Sequence, residues 1–275
     1  MKRVAIHSVP RSGSSWLGEI FNSARCVNYC FQPLFSYAFK NFLTLESDAQ
    51  RLDHFFEQLR VTQDSFVRQI DSREKGLLPN FKAASDCSHV VYKEVRYHHL
   101  IEHLASVDPD LKFVLLVRNP VYVMNSWVTA PKEFNSSWDI KTELWQAEKK
   151  NSGQPENFYG LQSWIETTRL FERLAEARPS QFCLVSYSAL CSDAPATTEK
   201  LFSHCELSMG EETLRFVKSS QSKRHSDAYS VFRGDERRAL VLPDEIIEII
   251  NHEVAAAGLS QYLDGHSSIP GADRV

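Results

Sequence analysis

Short apolar runs, separated by longer stretches with helical spacing, set the outline of this chain. Val4 to His7, Val27 to Phe31, Val90 to Tyr92, Phe113 to Val117 and Phe182 to Ser186 have the character of buried strands. Trp16, Leu17, Ile20, Phe21 and Ala24 mark one face of a helix, with Gly18, Glu19, Asn22 and Ser23 opposite. Residues 47–70, 97–107, 138–150 and 156–178 also carry helical spacing. Near the end, Pro243-Asp-Glu opens a helix whose Ile246, Ile247, Ile249, Ile250 and Val254 are expected to pack inward, with Gly258 closing it. Strands alternating with helices predict an α/β fold: a parallel sheet covered by helices on both faces, with ligands beyond the carboxyl ends of the strands. Asn135-Ser-Ser and Ser219 to Ser226 read as loops, the second long and polar enough for a mobile flap.

Composition narrows the function classes. The 275 residues are 43% hydrophobic and 24% charged, ordinary values for a globular protein, and residues 1–275 are read as a single domain. The net charge of −4, from 31 basic and 35 acidic residues, gives no basic excess for a nucleic-acid partner. Any anion must be held by a local site. The six cysteines form no Cys-x-x-Cys pair and several lie in apolar runs, as expected of free thiols in a reducing compartment. The opening Met1-Lys-Arg-Val-Ala-Ile-His-Ser has too short an apolar run for a signal peptide, and no stretch reaches the length of a membrane span. The expectation is a cytoplasmic protein without a membrane partner, its oligomeric state open.

Candidate chemistry sits where strands give way to helices. Val4–His7 runs into Val9-Pro-Arg-Ser-Gly-Ser-Ser15, with a helix from about Trp16. Such a loop offers unpaired amides at the positive end of a helix dipole. Gly13 lets the backbone approach an oxygen ligand, Ser14 and Ser15 add hydroxyl donors, and Arg11 adds a permanent positive charge. Taken alone, the same residues also fit a Ser-rich N-cap. The loop is not a Walker loop, because no lysine opens the helix. Leu111 to Trp127 is a second strand, turn and helix, with Arg118 at the strand end and Ser126 two turns along the helix. That pair suits a second phosphate, although an ordinary surface arginine would look the same.

Pro10-Arg-Ser-Gly-Ser-Ser-Trp-Leu17 resembles the 5′-phosphosulfate loop of sulfotransferases that use 3′-phosphoadenosine 5′-phosphosulfate (PAPS). Val117-Arg-Asn-Pro120 through Ser126 resembles their 3′-phosphate motif. Val90-Val-Tyr-Lys-Glu-Val-Arg96 is similar to their Lys-x-x-Arg strand, Val185-Ser-Tyr-Ser-Ala-Leu190 to their Tyr-Glu-Asp-Leu segment, and Arg233-Gly234 loosely to a C-terminal nucleotide contact. Arg11 to Asn22 and Phe31-Gln-Pro-Leu-Phe35 are nearest in motif to the carbohydrate 6-O-sulfotransferases, which are usually anchored in the Golgi membrane. The resemblance implies the P-loop-like sulfotransferase fold. It implies PAPS as donor, 3′-phosphoadenosine 5′-phosphate (PAP) as product, and no metal. Arg11 would stabilise the leaving phosphate and Lys93 would approach the transferring sulfonate. Ser12, Gly13, Ser14, Ser15 and Trp16 would hold the 5′-phosphosulfate and border the adenine. Arg118 and Ser126 would bind the 3′-phosphate, and Tyr187, Arg233 and Gly234 would contact the nucleotide.

The general base departs from the family pattern. Where many relatives carry a glutamate before Pro-Leu/Val-aromatic, this chain has Gln32, which can orient an acceptor but cannot take its proton. Where cytosolic relatives carry a histidine two residues after the strand lysine, this chain has Val95. The remaining candidates are Glu94, His98, His99 and His7, with Glu94 preferred and Gln32 as the orienting residue; a nitrogen acceptor needing little deprotonation is the alternative. His98, His99 and His103 lack a metal-site context and read as a helix surface. Trp127, Trp138, Trp145 and Trp164 are expected mostly in the core. The expected reaction is transfer of a sulfonate to a hydroxyl or nitrogen of a small, natural-product-like acceptor. A carbohydrate sulfotransferase, a P-loop nucleotide kinase and a non-catalytic nucleotide-binding protein are the alternatives.

Overall fold

The structure is a computed structural model, described here for residues 1–84, 86–222, 227, 229–231 and 239–263. β1 (Lys2–His7) leads through the small-residue loop into α1 (Ser14–Asn22) and β2 (Val27–Phe31). A 3-10 turn at Pro33–Phe35 is followed by α2 (Ala49–Val61), α3 (Ile70–Glu74) and β3 (His89–Glu94). A second such turn at His98–Leu100 precedes α4 (Ile101–Val107), β4 (Lys112–Val117) and α5 (Pro120–Val128). Then come α6 (Ile140–Glu143), α7 (Glu148–Asn151), α8 (Leu161–Ala177) and β5 (Phe182–Ser186). The chain continues with α9 (Tyr187–Ser192), α10 (Ala194–His204), α11 (Glu211–Ser222) and α12 (Asp244–Ala256).

The strands form one parallel sheet in the order β2-β3-β1-β4-β5. Alternation along each strand divides the core into two layers. Ala5, Tyr92, Phe113 and Leu115 face one side, against α2, α4, α5, α8 and α12; Val4, Ile6, Val91 and Leu116 face the other, against α1, α10 and α11. Placing β1 between β3 and β4 brings the ends of all three together. Ile6 pairs with Lys93, and His7 pairs with both Glu94 and Leu115. Both phosphate-type motifs therefore leave adjacent strands at the same edge of the sheet.

Several element expectations are corrected. The helix expected over 47–70 ends at Val61, because the Thr62 hydroxyl and the Asp64 carboxylate take the amides of Asp64 and Val67 into a turn. The helix expected over 138–150 breaks into α6 and α7 around Ala147, whose φ is +50°. The helix expected from 156 begins only at Leu161. Of Ser219 to Ser226, read as a loop, residues 219–222 form the last turn of α11, where the hydroxyls of Ser219, Ser220 and Ser222 bond back to carbonyls three residues earlier, and residues 223–226 lie outside the described residues. In α12, Ile246, Ile250 and Val254 are buried but Ile249 is 44% exposed, a strip too narrow to hold all five residues. Gly258 does close that helix, at φ +77°, and the Leu259 amide returns to the Val254 carbonyl.

Candidate active site

A cavity opens at the carboxyl edge of the sheet, and its walls come from elements far apart in sequence. Arg11, Gly13, Ser14, Ser15 and Trp16 of the first loop and helix face Gln32, Lys93, Val95 and Arg96; Ser126, Glu133, Tyr159, Tyr187, Ser220 and Tyr229 complete the enclosure.

The first loop is shaped by two residues with positive φ, Arg11 at +69° and Gly13 at +93°. Gly13 is required by space as well as by φ, since a Cβ there would meet the Tyr187 ring, 2.6 Å from its Cδ2. No side chain caps α1 and its first turn holds no acid, so the helix presents bare amides and the positive end of its dipole. α5 differs, because the Asn119 side chain accepts from the Val121 amide at 2.9 Å. Ser14 and Ser15 line the cavity. Ser12 does not: it is fully buried, and among the described residues its hydroxyl has no hydrogen-bond partner.

The second motif is physically joined to the first. Arg11 Nε donates to Ser126 Oγ at 3.2 Å, and Arg118 Nη1 donates to the Arg11 carbonyl at 3.0 Å. The Arg118 guanidinium lies 4.6 Å from the centre of the Tyr187 ring; Ser126 is on the cavity wall, and Arg118 is not but touches two residues that are, Arg11 and Tyr187. Trp16 meets Tyr187 edge to face at 6.0 Å and donates from its indole nitrogen to Ser220 Oγ at 2.8 Å. Both rings line the cavity. Arg233 and Gly234 lie outside the described residues.

Lys93, also on the cavity wall, is nearly fully buried, with its Nζ 4.3 Å above the Phe31 ring. Burial disfavours its charge and lowers its pKa to about 7, with Arg96 and Arg11 acting the same way and Glu94 opposing. Gln32 adopts φ +40°, and its side-chain carbonyl accepts from Arg96 Nη1 at 3.0 Å. Arg96 also donates to Asn157 and lies 4.0 Å from the Phe35 ring centre.

Glu94 does not line this cavity. Neighbouring strand residues point to opposite faces, so placing Lys93 in the site sends Glu94 to the other side of β3. It is fully buried, and one carboxylate oxygen accepts the Leu34 amide at 2.8 Å. Burial raises its pKa to about 8. His7 and His98 are also buried away from the cavity, sharing an Nδ1–Nδ1 contact of 3.2 Å. Desolvation lowers the pKa of both, to about 3 for His7. His99 is exposed, and His103 bonds the Ser47 carbonyl. Sequence reasoning missed the acid that does reach the cavity, Glu133, and its partner Tyr159. Neither belongs to a motif, and no pattern marked them.

Trp127 and Trp164 are core residues, while Trp145 is 41% exposed. None of the six cysteines is paired with another in a disulfide. Among the described residues, no helix is long and apolar enough to cross a membrane.

Comparison with solved structures returns the same architecture. A sulfotransferase from Alicyclobacillus acidocaldarius superposes with a TM-score of 0.55 at 12% identity, covering 98% of this chain and 97% of that one. A mouse sulfotransferase complexed with PAP gives 0.54 at 12%, covering 93% and 83%. A retinol dehydratase in complex with retinol and PAP gives 0.51 at 11%, covering 94% and 82%. No curated protein matches the sequence. A model of the sulfotransferase family matches residues 3–212. With that match across most of its length, and a sheet of the same architecture beneath it, the chain belongs to the sulfotransferase family.

Proposed function

We propose that this protein transfers a sulfonate from PAPS to a hydroxyl or nitrogen of a small-molecule acceptor. The observation that carries this reading is the contact of Arg11 with Ser126, which fuses an uncapped helix N-terminus and a second phosphate-type motif into one wall of one cavity. PAP in the mouse and retinol dehydratase complexes of the same fold supports the donor. The residues fit it. The bare amides of α1, Ser14, Ser15 and Arg11 suit the 5′-phosphosulfate, while Ser12 is buried within the same loop. Ser126 and Arg118 suit the 3′-phosphate, and Trp16 with Tyr187 suits the adenine. Lys93 lies beyond the loop, where the sulfonate would project.

Transfer through a trigonal sulfur centre depends on positioning and on charge placed where it develops, as in phosphoryl transfer. Arg11 would stabilise charge on the leaving phosphate, and Lys93 would hold the sulfonate oxygens. A polyanion restores the charge that burial disfavours on Lys93. Gln32, fixed by Arg96, would orient the acceptor.

Retinol in one relative supports a small organic acceptor, and six cysteines that form no disulfide with one another suit a reducing, cytoplasmic setting. Both motifs lie on one sheet, which supports reading residues 1–275 as one catalytic domain. The test is incubation of the protein with PAPS carrying labelled sulfur and a library of phenols, alcohols, amines and sugars. Label is expected in a small organic product; label found only in sugars would correct the acceptor class.

A further inference from the structure

The reaction needs a group to take the acceptor's proton, and the candidates nearest in sequence to Lys93 do not reach it. Glu94, His7 and His98 are buried off the cavity, and Gln32 is a neutral amide engaged by Arg96. Among the described residues, Glu133 is the one carboxylate on the cavity wall. It lies just beyond α5, in a segment without regular structure. The Phe134 amide bonds the Ala130 carbonyl, and the Trp127 indole bonds the Glu133 carbonyl at 3.1 Å, so this segment is tied to α5.

The carboxylate itself is held from one side only. Its Oε2 accepts from the Tyr159 hydroxyl at 2.7 Å and from Lys150 Nζ at 2.6 Å. Among the described residues Oε1 has no hydrogen-bond partner, and the side chain is 23% exposed. Burial works against the charge, but the Lys150 and Tyr159 bonds outweigh it and hold the pKa below the ordinary carboxylate value. The group is therefore anionic at neutral pH. It stands near Lys93 and Gln32: its charge acts on Lys93, and Tyr159 joins Glu133 to Arg96, whose guanidinium lies 5.9 Å from the Tyr159 ring centre and which in turn holds Gln32.

We infer that Glu133 is the general base of the transfer, supplying from beyond α5 the carboxylate that many relatives carry at the position of Gln32. This rests on the donor reading above. As the acceptor's oxygen or nitrogen forms its bond to sulfur, the bond from sulfur to the bridging phosphate oxygen breaks, and its electron pair leaves with PAP. The proton released from the acceptor passes to Oε1 of Glu133. A weak base serves here because the acceptor's proton becomes acidic as its bond to sulfur forms, so the proton moves late.

Water can replace an unidentified acceptor, so the readout is PAP released from PAPS by the full chain, beside calorimetric binding of PAP. Glu133→Gln keeps the size of the side chain and an oxygen for Tyr159. It is expected to bind PAP within about twofold of wild type and to release it on the order of 10²-fold more slowly. Glu133→Ala is expected to regain rate with added carboxylates, acetate exceeding formate, because acetate is the stronger base. Unchanged release in Glu133→Gln would overturn the assignment. So would rescue that favours formate for its smaller size, since that order reports a filled space and not a base. A wild-type protein that neither binds PAP nor releases it would instead defeat the donor reading, and this inference with it. Normal PAP binding in Glu133→Gln keeps the two failures distinct.

Discussion

Arg11 Nε lies 3.2 Å from Ser126 Oγ, so the loop after β1 and the helix after β4 are in direct contact. Arg11 is therefore held at the junction of the two motifs while its φ of +69° turns the loop. A guanidinium fixed in this way needs little reorganisation when charge develops on a leaving phosphate.

Arg11→Ala is accordingly expected to lower kcat far more than it raises the KM for PAPS. Loss of one such preorganised donor costs on the order of 10²–10³ in rate. Steady-state kinetics with the acceptor found by labelled transfer gives the measurement. An increase in KM alone would make Arg11 a simple binding residue.

Gly13→Ala tests the loop's shape. The left-handed backbone alone costs an ordinary residue about 1–2 kcal/mol, and the new methyl would strike the Tyr187 ring. The variant should be less stable by denaturant titration and should bind PAP more weakly. Adding Tyr187→Ala should relieve the clash but not the backbone cost, so recovery of stability should be partial.

Glu94→Gln should change stability with pH, in a definite direction. The folded-state pKa of Glu94 is raised to about 8 from an ordinary value of 4.5. Between those values the folded state binds the proton that the unfolded state has lost, so Glu94 makes stability fall as pH rises through that window. Lys93, lowered to about 7 from 10.5, acts oppositely between its own two values, and comparison with the variant separates them. Wild type and Glu94→Gln should be similar at about pH 5, and the variant should be the more stable at about pH 9. Equal stability at both pH values would show that Glu94 is not buried as described.

The sheet and the nucleotide-type motifs were legible in the sequence because each is local. Five apolar runs became five strands, and the loop from Arg11 to Ser15 opens α1 as its small residues imply. Glu94 misled because adjacency in sequence means opposite faces on a strand, so closeness to Lys93 argued against it. Glu133 was invisible for the converse reason. Its role depends on Tyr159 and Lys150, which reach it through tertiary packing alone. Ser219 to Ser222 looked like a flexible loop, but serines near the end of a helix can satisfy its carbonyls and prolong it.

The most direct measurement is calorimetric binding of PAP and ADP to the same preparation. PAP carries a 3′-phosphate that ADP lacks, while ADP carries a second 5′-phosphate; the proposed site gives the 3′-phosphate to Ser126 and Arg118, and a charge-assisted contact left unmade costs about 1.5–3 kcal/mol. PAP should therefore bind roughly ten- to hundredfold more tightly than ADP. Arg118→Ala, still folded by circular dichroism, should narrow that ratio. Equal affinity of the wild-type protein for PAP and ADP would contradict the account.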